Sequence, residues 1–265
     1  MRRVIAVPCE GETLAATLDT APGTTGLLIV SGGNVIRCGA HRGMAMLAQR
    51  LAARGVPVLR YDRRGVGDSS GINGGFLSAR PDLIAAAAAF RAAMPAVTRL
   101  VGFGNCDAAS TLALFGRDAG LDAVVLANPW LAKETDDLPP AAAIRARYSQ
   151  RLRDPREWRR LLGGGVNIRG VFRGLRKIHA RPVEAVDSLE TRVMDALGGW
   201  GQAATVIVAT KDATGLAFTA AARHVSLACR TVYIPTASHS FAGAVEAAGL
   251  EDAIVTVLHS PSSRT

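Results

Sequence analysis

The sequence predicts an α/β fold, with a mostly parallel central sheet flanked by helices and a helical cap inserted between two of its later strands. Three observations carry that expectation. Short apolar or β-branched runs alternate with Ala- and Leu-rich stretches, first over residues 27–127 and again over 205–258, as in a sheet covered on both faces. The stretch Val101-Gly102-Phe103-Gly104-Asn105-Cys106-Asp107-Ala108-Ala109 passes from strand to helix through a turn bracketed by small residues. Between Lys133 and Gly201 the alternation lapses, and no convincing strand is present.

The elements follow in order. Val4–Val7 and Leu14–Leu18 flank Glu10-Gly11-Glu12 and read as an antiparallel hairpin entering the sheet. Leu27–Val30 is a buried strand running into Ser31-Gly32-Gly33-Asn34, and Met44–Arg54 is a helix stopped by Gly55. Val56–Tyr61 is the next strand, followed by the glycine-punctuated loop Asp62-Arg63-Arg64-Gly65-Val66-Gly67-Asp68-Ser69. Pro81–Met94 is a helix with proline at its start, where a missing N–H is harmless. Leu100–Phe103 is a strand, Asp107–Phe115 a helix and Ala123–Ala127 a strand. After the lapse come Thr205–Ala209 (strand), Leu216–Ala228 (helix), Thr231–Ile234 (strand) and Phe241–Leu258 (helix). The chain thus divides into a core of residues 1–132 and 202–259, a helical cap of residues 133–201, and a disordered tail, 260–265.

Composition narrows the class. Hydrophobic residues make up 49% and charged residues 20%, which is globular rather than disordered or fibrous. A chain of 265 residues buries enough surface to need no disulfide staples. Cys9, Cys38, Cys106 and Cys229 form no CxxC pair and have no histidine at metal-ligand spacing, which argues against a structural zinc site. The apolar run after Arg2-Arg3 is too short for a signal-peptide core, and no apolar stretch is long enough to span a bilayer. Cytoplasmic residence with free thiols is the expectation.

The formal charge is +9, and it is unevenly placed. Arg145 to Arg181 holds twelve basic residues and two acidic ones. Either these are solvated helix faces, or they meet an acidic partner: a phosphate-bearing substrate, an acidic carrier protein or an anionic membrane surface. No nucleic-acid partner is expected.

Strand, sharp turn and helix form the context of a nucleophile elbow, whose central residue sits in a strained turn between small neighbours. Gly104 and Ala108 are the small neighbours, and Cys106 stands at the centre. A helix N-terminus at that point favours a thiolate. Asp212, in Ala209-Thr210-Lys211-Asp212, follows the strand after the cap, and His239, in Thr236-Ala237-Ser238-His239, follows the last strand. Each has a second reading: Cys106 as a packing residue, Asp212 as a helix N-cap, His239 as an ordinary loop residue. Asn128, at the end of the preceding strand, cannot charge and so does not compete with Asp212.

Over essentially its full length the chain resembles the α/β-hydrolase superfamily, which orders its residues nucleophile, acid, histidine. More narrowly, Val30-Ser31-Gly32-Gly33-Asn34, the Arg60–Ser69 loop, Gly104-Asn105-Cys106-Asp107 and Ala237-Ser238-His239-Ser240-Phe241 resemble the hydrolases encoded beside exosortase A systems, which accompany bacterial exopolysaccharide and protein-sorting loci. The superfamily usually has serine and glycine where this chain has Cys106 and Ala108, although dienelactone hydrolases and polyester synthases use cysteine on this fold. The resemblance implies a triad of Cys106, His239 and Asp212. It also implies an oxyanion hole made by the backbone N–H of Asp107 and one from Gly33 or Asn34. No metal or organic cofactor is implied. The expected chemistry is ester or thioester hydrolysis on a small-molecule acyl substrate, anionic or carrier-bound if the basic segment contributes. The alternatives are an acyltransferase fed by a thioester and an inactive hydrolase-fold binding protein.

Two readings stand for the Asp107 side chain. Facing the sulfur, it would disfavour a thiolate; facing solvent, it would complement the helix dipole. Asp62 and Asp68 read as braces of their arginine-rich turn. Cys9, Cys38 and Cys229 read as structural thiols, and His41, His179, His224 and His259 have no partner motif.

Overall fold

Neighbouring residues of each buried strand serve opposite faces of the sheet, so a continuous apolar run supplies two cores at once. Leu28, Val30, Val124, Leu126, Val206 and Val208 face one core; Leu27, Ile29, Val101, Phe103, Val125 and Ile207 face the other. The computed structural model describes residues 1–132 and 188–260.

The elements are β1 (Arg2–Cys9), β2 (Glu12–Asp19), β3 (Thr25–Val30), α1 (Gly43–Ala53), β4 (Val58–Tyr61), α2 (Arg80–Ala93), β5 (Arg99–Asn105), α3 (Asp107–Phe115), β6 (Ala123–Ala127), α4 (Leu189–Trp200), β7 (Ala204–Ala209), α5 (Ala213–Ala222), β8 (Arg230–Ile234) and α6 (Ala244–His259). The eight strands form one sheet in the order β1-β2-β4-β3-β5-β6-β7-β8. The hairpin β1–β2 joins antiparallel, β2 pairs antiparallel with β4, and every later pairing is parallel. Helices α1 and α6 cover one face and α2, α3, α4 and α5 the other. Parallel strands end together, so the carboxyl ends of β3, β5, β6, β7 and β8 gather their loops along one rim.

On the α3 side β5 presents Gly102 and Gly104 in place of side chains. A Cβ at Gly104 would stand 2.8 Å from the Ala108 carbonyl carbon and 3.0 Å from Leu112, so glycine lets α3 lie close against the strand. That close approach sets the sharp turn between them.

Several boundaries differ from the sequence expectation, the end of α5 among them, at Ala222 rather than Ala228, and three of the differences bear on the site or the layers. Helix α5 starts at Ala213 rather than Leu216, because the Asp212 side chain caps it by accepting from the Thr214 and Gly215 N–H groups. Helix α6 starts at Ala244 rather than Phe241, since Phe241 holds φ +53°, outside helical space. The third is the end of the expected cap: Leu189–Trp200 is a helix of the core layer. Its Leu189, Val193, Leu197 and Trp200 are buried on α3, Trp200 Nε1–H donates to the Ala113 carbonyl at 2.9 Å, and the Arg117 guanidinium stacks 3.9 Å over the indole. The remaining expected cap, 133–187, and the tail 261–265 lie outside the described residues. Among the described residues no helix is long and apolar enough to cross a membrane.

Candidate active site

The turn between β5 and α3 places Cys106 at φ 63°, ψ −127°, a conformation that costs a residue with a Cβ on the order of 1–3 kcal/mol. The backbone around it is fully engaged. Cys106 N–H donates to the Ala127 carbonyl at 2.9 Å, extending the sheet past β5, while its carbonyl accepts from Ala109 N–H at 3.1 Å and Trp130 N–H at 3.2 Å. The side chain, free of that duty, is half-buried at the rim.

His239 reaches the same place from the loop after β8. That loop is built by local bonds: Ser238 N–H to Thr236 Oγ1 at 3.0 Å, Ala242 N–H to Ser238 Oγ at 3.0 Å, and Lys211 N–H to the Thr236 carbonyl at 2.9 Å. The last bond ties the histidine loop to the loop that carries Asp212. His239 Nδ1 lies 3.0 Å from Asp212 Oδ2, and the Cys106 side chain is near enough to the imidazole to shift its titration. Asp212, then Cys106, raise the histidine pKa from 6.5 to about 10 despite its partial burial. Burial alone would raise the Asp212 carboxyl, but the His239 bond and charge and the Gly215 and Thr214 amides outweigh it and hold it below its ordinary value. The three residues singled out in the sequence are therefore brought together, and Asp212 is N-cap and imidazole partner at once.

Sequence reasoning passed over two amides beneath them. Asn128 Oδ1 accepts from the Ala209 N–H at 2.8 Å, and its Nδ2 donates to Asn105 Oδ1 at 3.3 Å. Asn105 Nδ2 in turn donates to the His239 carbonyl at 2.9 Å. This relay crosses the ends of β7, β6 and β5 and terminates on the histidine loop. Asn128 is fully buried with φ 43°, and an uncharged residue where a strand meets the site was the signal available in the sequence.

The expected oxyanion loop, Ser31–Asn34, rests on the elbow. Asp107 takes neither course foreseen for it: its Oδ1 accepts the Gly33 N–H at 2.6 Å, and its Oδ2 lies 3.8 Å from Arg63 Nη2, which also donates to the Gly33 carbonyl. Of the two loop donors expected for an oxyanion, Gly33 N–H is thus already engaged by a carboxylate, whereas the Asn34 N–H has no partner among the described residues. The Asn34 side chain accepts from Asn73 Nδ2 at 2.7 Å. Asp62 and Asp68 do more than brace their own turn, since both bind the Arg37 guanidinium and Asp62 also takes the Arg37 N–H.

The other cysteines have surroundings of their own. Burial, then Asp82, push the Cys9 thiol up to about 11, and burial raises Cys229. Cys38 Sγ faces the Gly39 carbonyl at 3.7 Å, and His179 lies outside the described residues.

Solved structures share this architecture over the whole chain. DcsB, in complex with its substrate analogue, superposes with a TM-score of 0.66 at 14% identity, covering 100% of both chains. The Pyrococcus furiosus esterase Pf2001 gives 0.64 at 15% identity, over 97% of this chain and 90% of that one. The α/β hydrolase GrgF from Penicillium sp. sh18 gives 0.63 at 16% identity, over 97% and 98%. The chain has the α/β-hydrolase fold. No protein-family model and no curated protein matches its sequence. In this chain the residue after β5, Cys106, holds the strained turn, the loop after β7 carries Asp212 and the loop after β8 carries His239.

Proposed function

We propose that this chain is a hydrolase that cleaves an ester or thioester through a covalent acyl-cysteine intermediate. The carrying observation is the placement of His239 between the Asp212 carboxylate and the Cys106 side chain. His239, oriented by Asp212, takes the proton of the Cys106 thiol to give an imidazolium and a thiolate, an exchange that the raised histidine pKa favours. The sulfur attacks the carbonyl carbon, a C–S bond forms, and the carbonyl electron pair moves to oxygen. The backbone N–H of Asp107 and the open N–H of the Gly33–Asn34 turn hold that oxyanion. As the tetrahedral intermediate collapses, His239 delivers its proton to the leaving alcohol or thiol. The neutral imidazole then takes a proton from water, hydroxide attacks the thioester, and Cys106 leaves with the acid released. No step is routed through a metal or organic cofactor.

The family motifs support a finer reading, an enzyme of the exosortase-associated group working on exopolysaccharide or sorting substrates. The twelve basic residues from Arg145 to Arg181 favour a second outcome, transfer of the acyl group from a carrier-bound thioester to an acceptor other than water. Intact-mass measurement after exposure to a panel of esters and acyl thioesters tests the reading. Wild-type protein should gain an acyl mass on Cys106 that Cys106→Ala never gains. Breakdown of the adduct by water indicates hydrolysis; breakdown only with an added acceptor indicates transfer. Unchanged turnover in Cys106→Ala removes the cysteine from the mechanism. No turnover across the panel leaves the fold as a binding module.

A further inference from the structure

The arginine loop after β4 takes no part in the acyl transfer proposed above, yet one of its side chains reaches the site. We propose that Asp107 and Arg63 are positioning residues that clamp Gly33 from both sides and thereby aim the Asn34 N–H at the oxyanion. The inference rests on the acyl-transfer reading.

The argument begins with the peptide plane. The Gly33 carbonyl and the Asn34 N–H belong to one planar, trans unit, so they point in opposite directions and turn together. Arg63 Nη2 holds that carbonyl. It therefore fixes the direction of the Asn34 N–H, which has no partner among the described residues. Asp107 holds the preceding peptide through the Gly33 N–H at 2.6 Å. Between these two grips lies Gly33 itself, at φ +58° with open space where a Cβ would stand. A glycine there would otherwise let the plane rotate at little cost.

The setting favours a fixed part over an incidental one. A Cβ at Gly32 would stand 2.4 Å from the Asn105 carbonyl oxygen and 2.7 Å from Asp107 Oδ1, so the loop sits directly on the elbow. Arg63 is 5% exposed and the Asp107 side chain 14%, a charge pair withdrawn from water beside the reacting cysteine. An unpaired carboxylate there would oppose a developing oxyanion; the guanidinium 3.8 Å away compensates it. Arg63 Nη1 is buried without a partner among the described residues, so the guanidinium is held for what Nη2 does rather than for a full set of bonds.

The test separates loop geometry from thiol reactivity. Alkylation of Cys106 by iodoacetamide needs no oxyanion hole, whereas acylation by p-nitrophenyl acetate does. Asp107→Ala and Asp107→Asn both remove the charge, but only the amide keeps an acceptor for the Gly33 N–H. The ratio of acylation to alkylation rates should fall about tenfold or more in Asp107→Ala, and Asp107→Asn should rescue most of it. Hydrogen exchange at Gly33–Asn34, read by mass spectrometry, should accelerate in Asp107→Ala and not in Asp107→Asn. Arg63→Met should lower the ratio as Asp107→Ala does; if it fails to fold, Arg63→Lys is read instead and should lie between. Equal ratios and equal exchange in the two Asp107 variants would overturn the clamp. If wild-type Cys106 is alkylated but never acylated, the acyl-transfer reading falls, and the exchange comparison still decides whether Asp107 holds the loop.

Discussion

His239 Nδ1 stands 3.0 Å from Asp212 Oδ2, and that same oxygen caps α5 through the Thr214 and Gly215 amides at 3.0 and 3.2 Å. Cap and imidazole partner are usually weighed as rival explanations for an aspartate after a strand. Here one follows from the other: two backbone donors fix the carboxylate, and a fixed carboxylate fixes the ring. Removal of the side chain then costs the cap, about 1 kcal/mol, before any effect on the histidine is considered.

The pair gives stability a definite pH dependence. His239 is raised from 6.5 to about 10, so its contribution is complete below about pH 6.5 and disappears as pH climbs to 10. Asp212 is lowered, so its contribution holds above its ordinary value of 3.8 and disappears as pH falls below it. The imidazole is 41% exposed, and solvent screening keeps the effect modest. Thermal denaturation of wild type and His239→Gln should show the largest difference in Tm near pH 5–6 and a vanishing one near pH 10. A difference that grows with pH would contradict the assignment.

At the elbow, stability and chemistry should oppose each other. Cys106 sits at φ 63°, where only glycine is at ease. Cys106→Gly should therefore stabilise the fold by about 1 kcal/mol, raising Tm by a few degrees, while abolishing acylation. Cys106→Ala keeps the Cβ and should abolish acylation without that gain. Equal Tm for the two variants would mean that the turn is unstrained.

The amide relay predicts a separation between its two members. Asn128→Ala strips partners from the buried Ala209 N–H and from Asn105, and should cost about 1–3 kcal/mol in chemical denaturation as well as activity. Asn105→Ala frees the His239 carbonyl and takes the acceptor from Asn128 Nδ2 but spares the Ala209 N–H, and it should lower the acylation rate with a smaller loss of stability. If Asn105→Ala acylates like wild type, the relay does not position the histidine.

What the sequence disclosed depended on range. The strands β3, β5, β6 and β7 were legible because apolar runs bounded by turn residues have few alternatives in an alternating chain. Gly104, Cys106 and Ala108 were legible because close approach of helix and strand demands small residues at fixed offsets. Helix α4 was read into the helical cap rather than the core, although Leu189, Val193, Leu197 and Trp200 recur at helical spacing, because only the folded sheet shows that this face packs on α3. The start of α5 was masked by the competing role of Asp212. Least legible were the Asp107–Gly33 bond and the Asn128–Asn105–His239 relay. Each joins residues far apart in sequence through polar side chains whose partners only the folded sheet supplies.

Helix α3 moors both flanks of the long excursion between β6 and β7. On the near side Ser110 Oγ holds the Trp130 carbonyl at 2.6 Å and Trp130 N–H binds the Cys106 carbonyl; on the far side α4 lies along α3 with Trp200 bonded to Ala113. Trp130 and Trp200 are thus both fastened to α3 and the turn before it, so a substitution that loosens either one reaches the cysteine's own turn and helix before it reaches the strands.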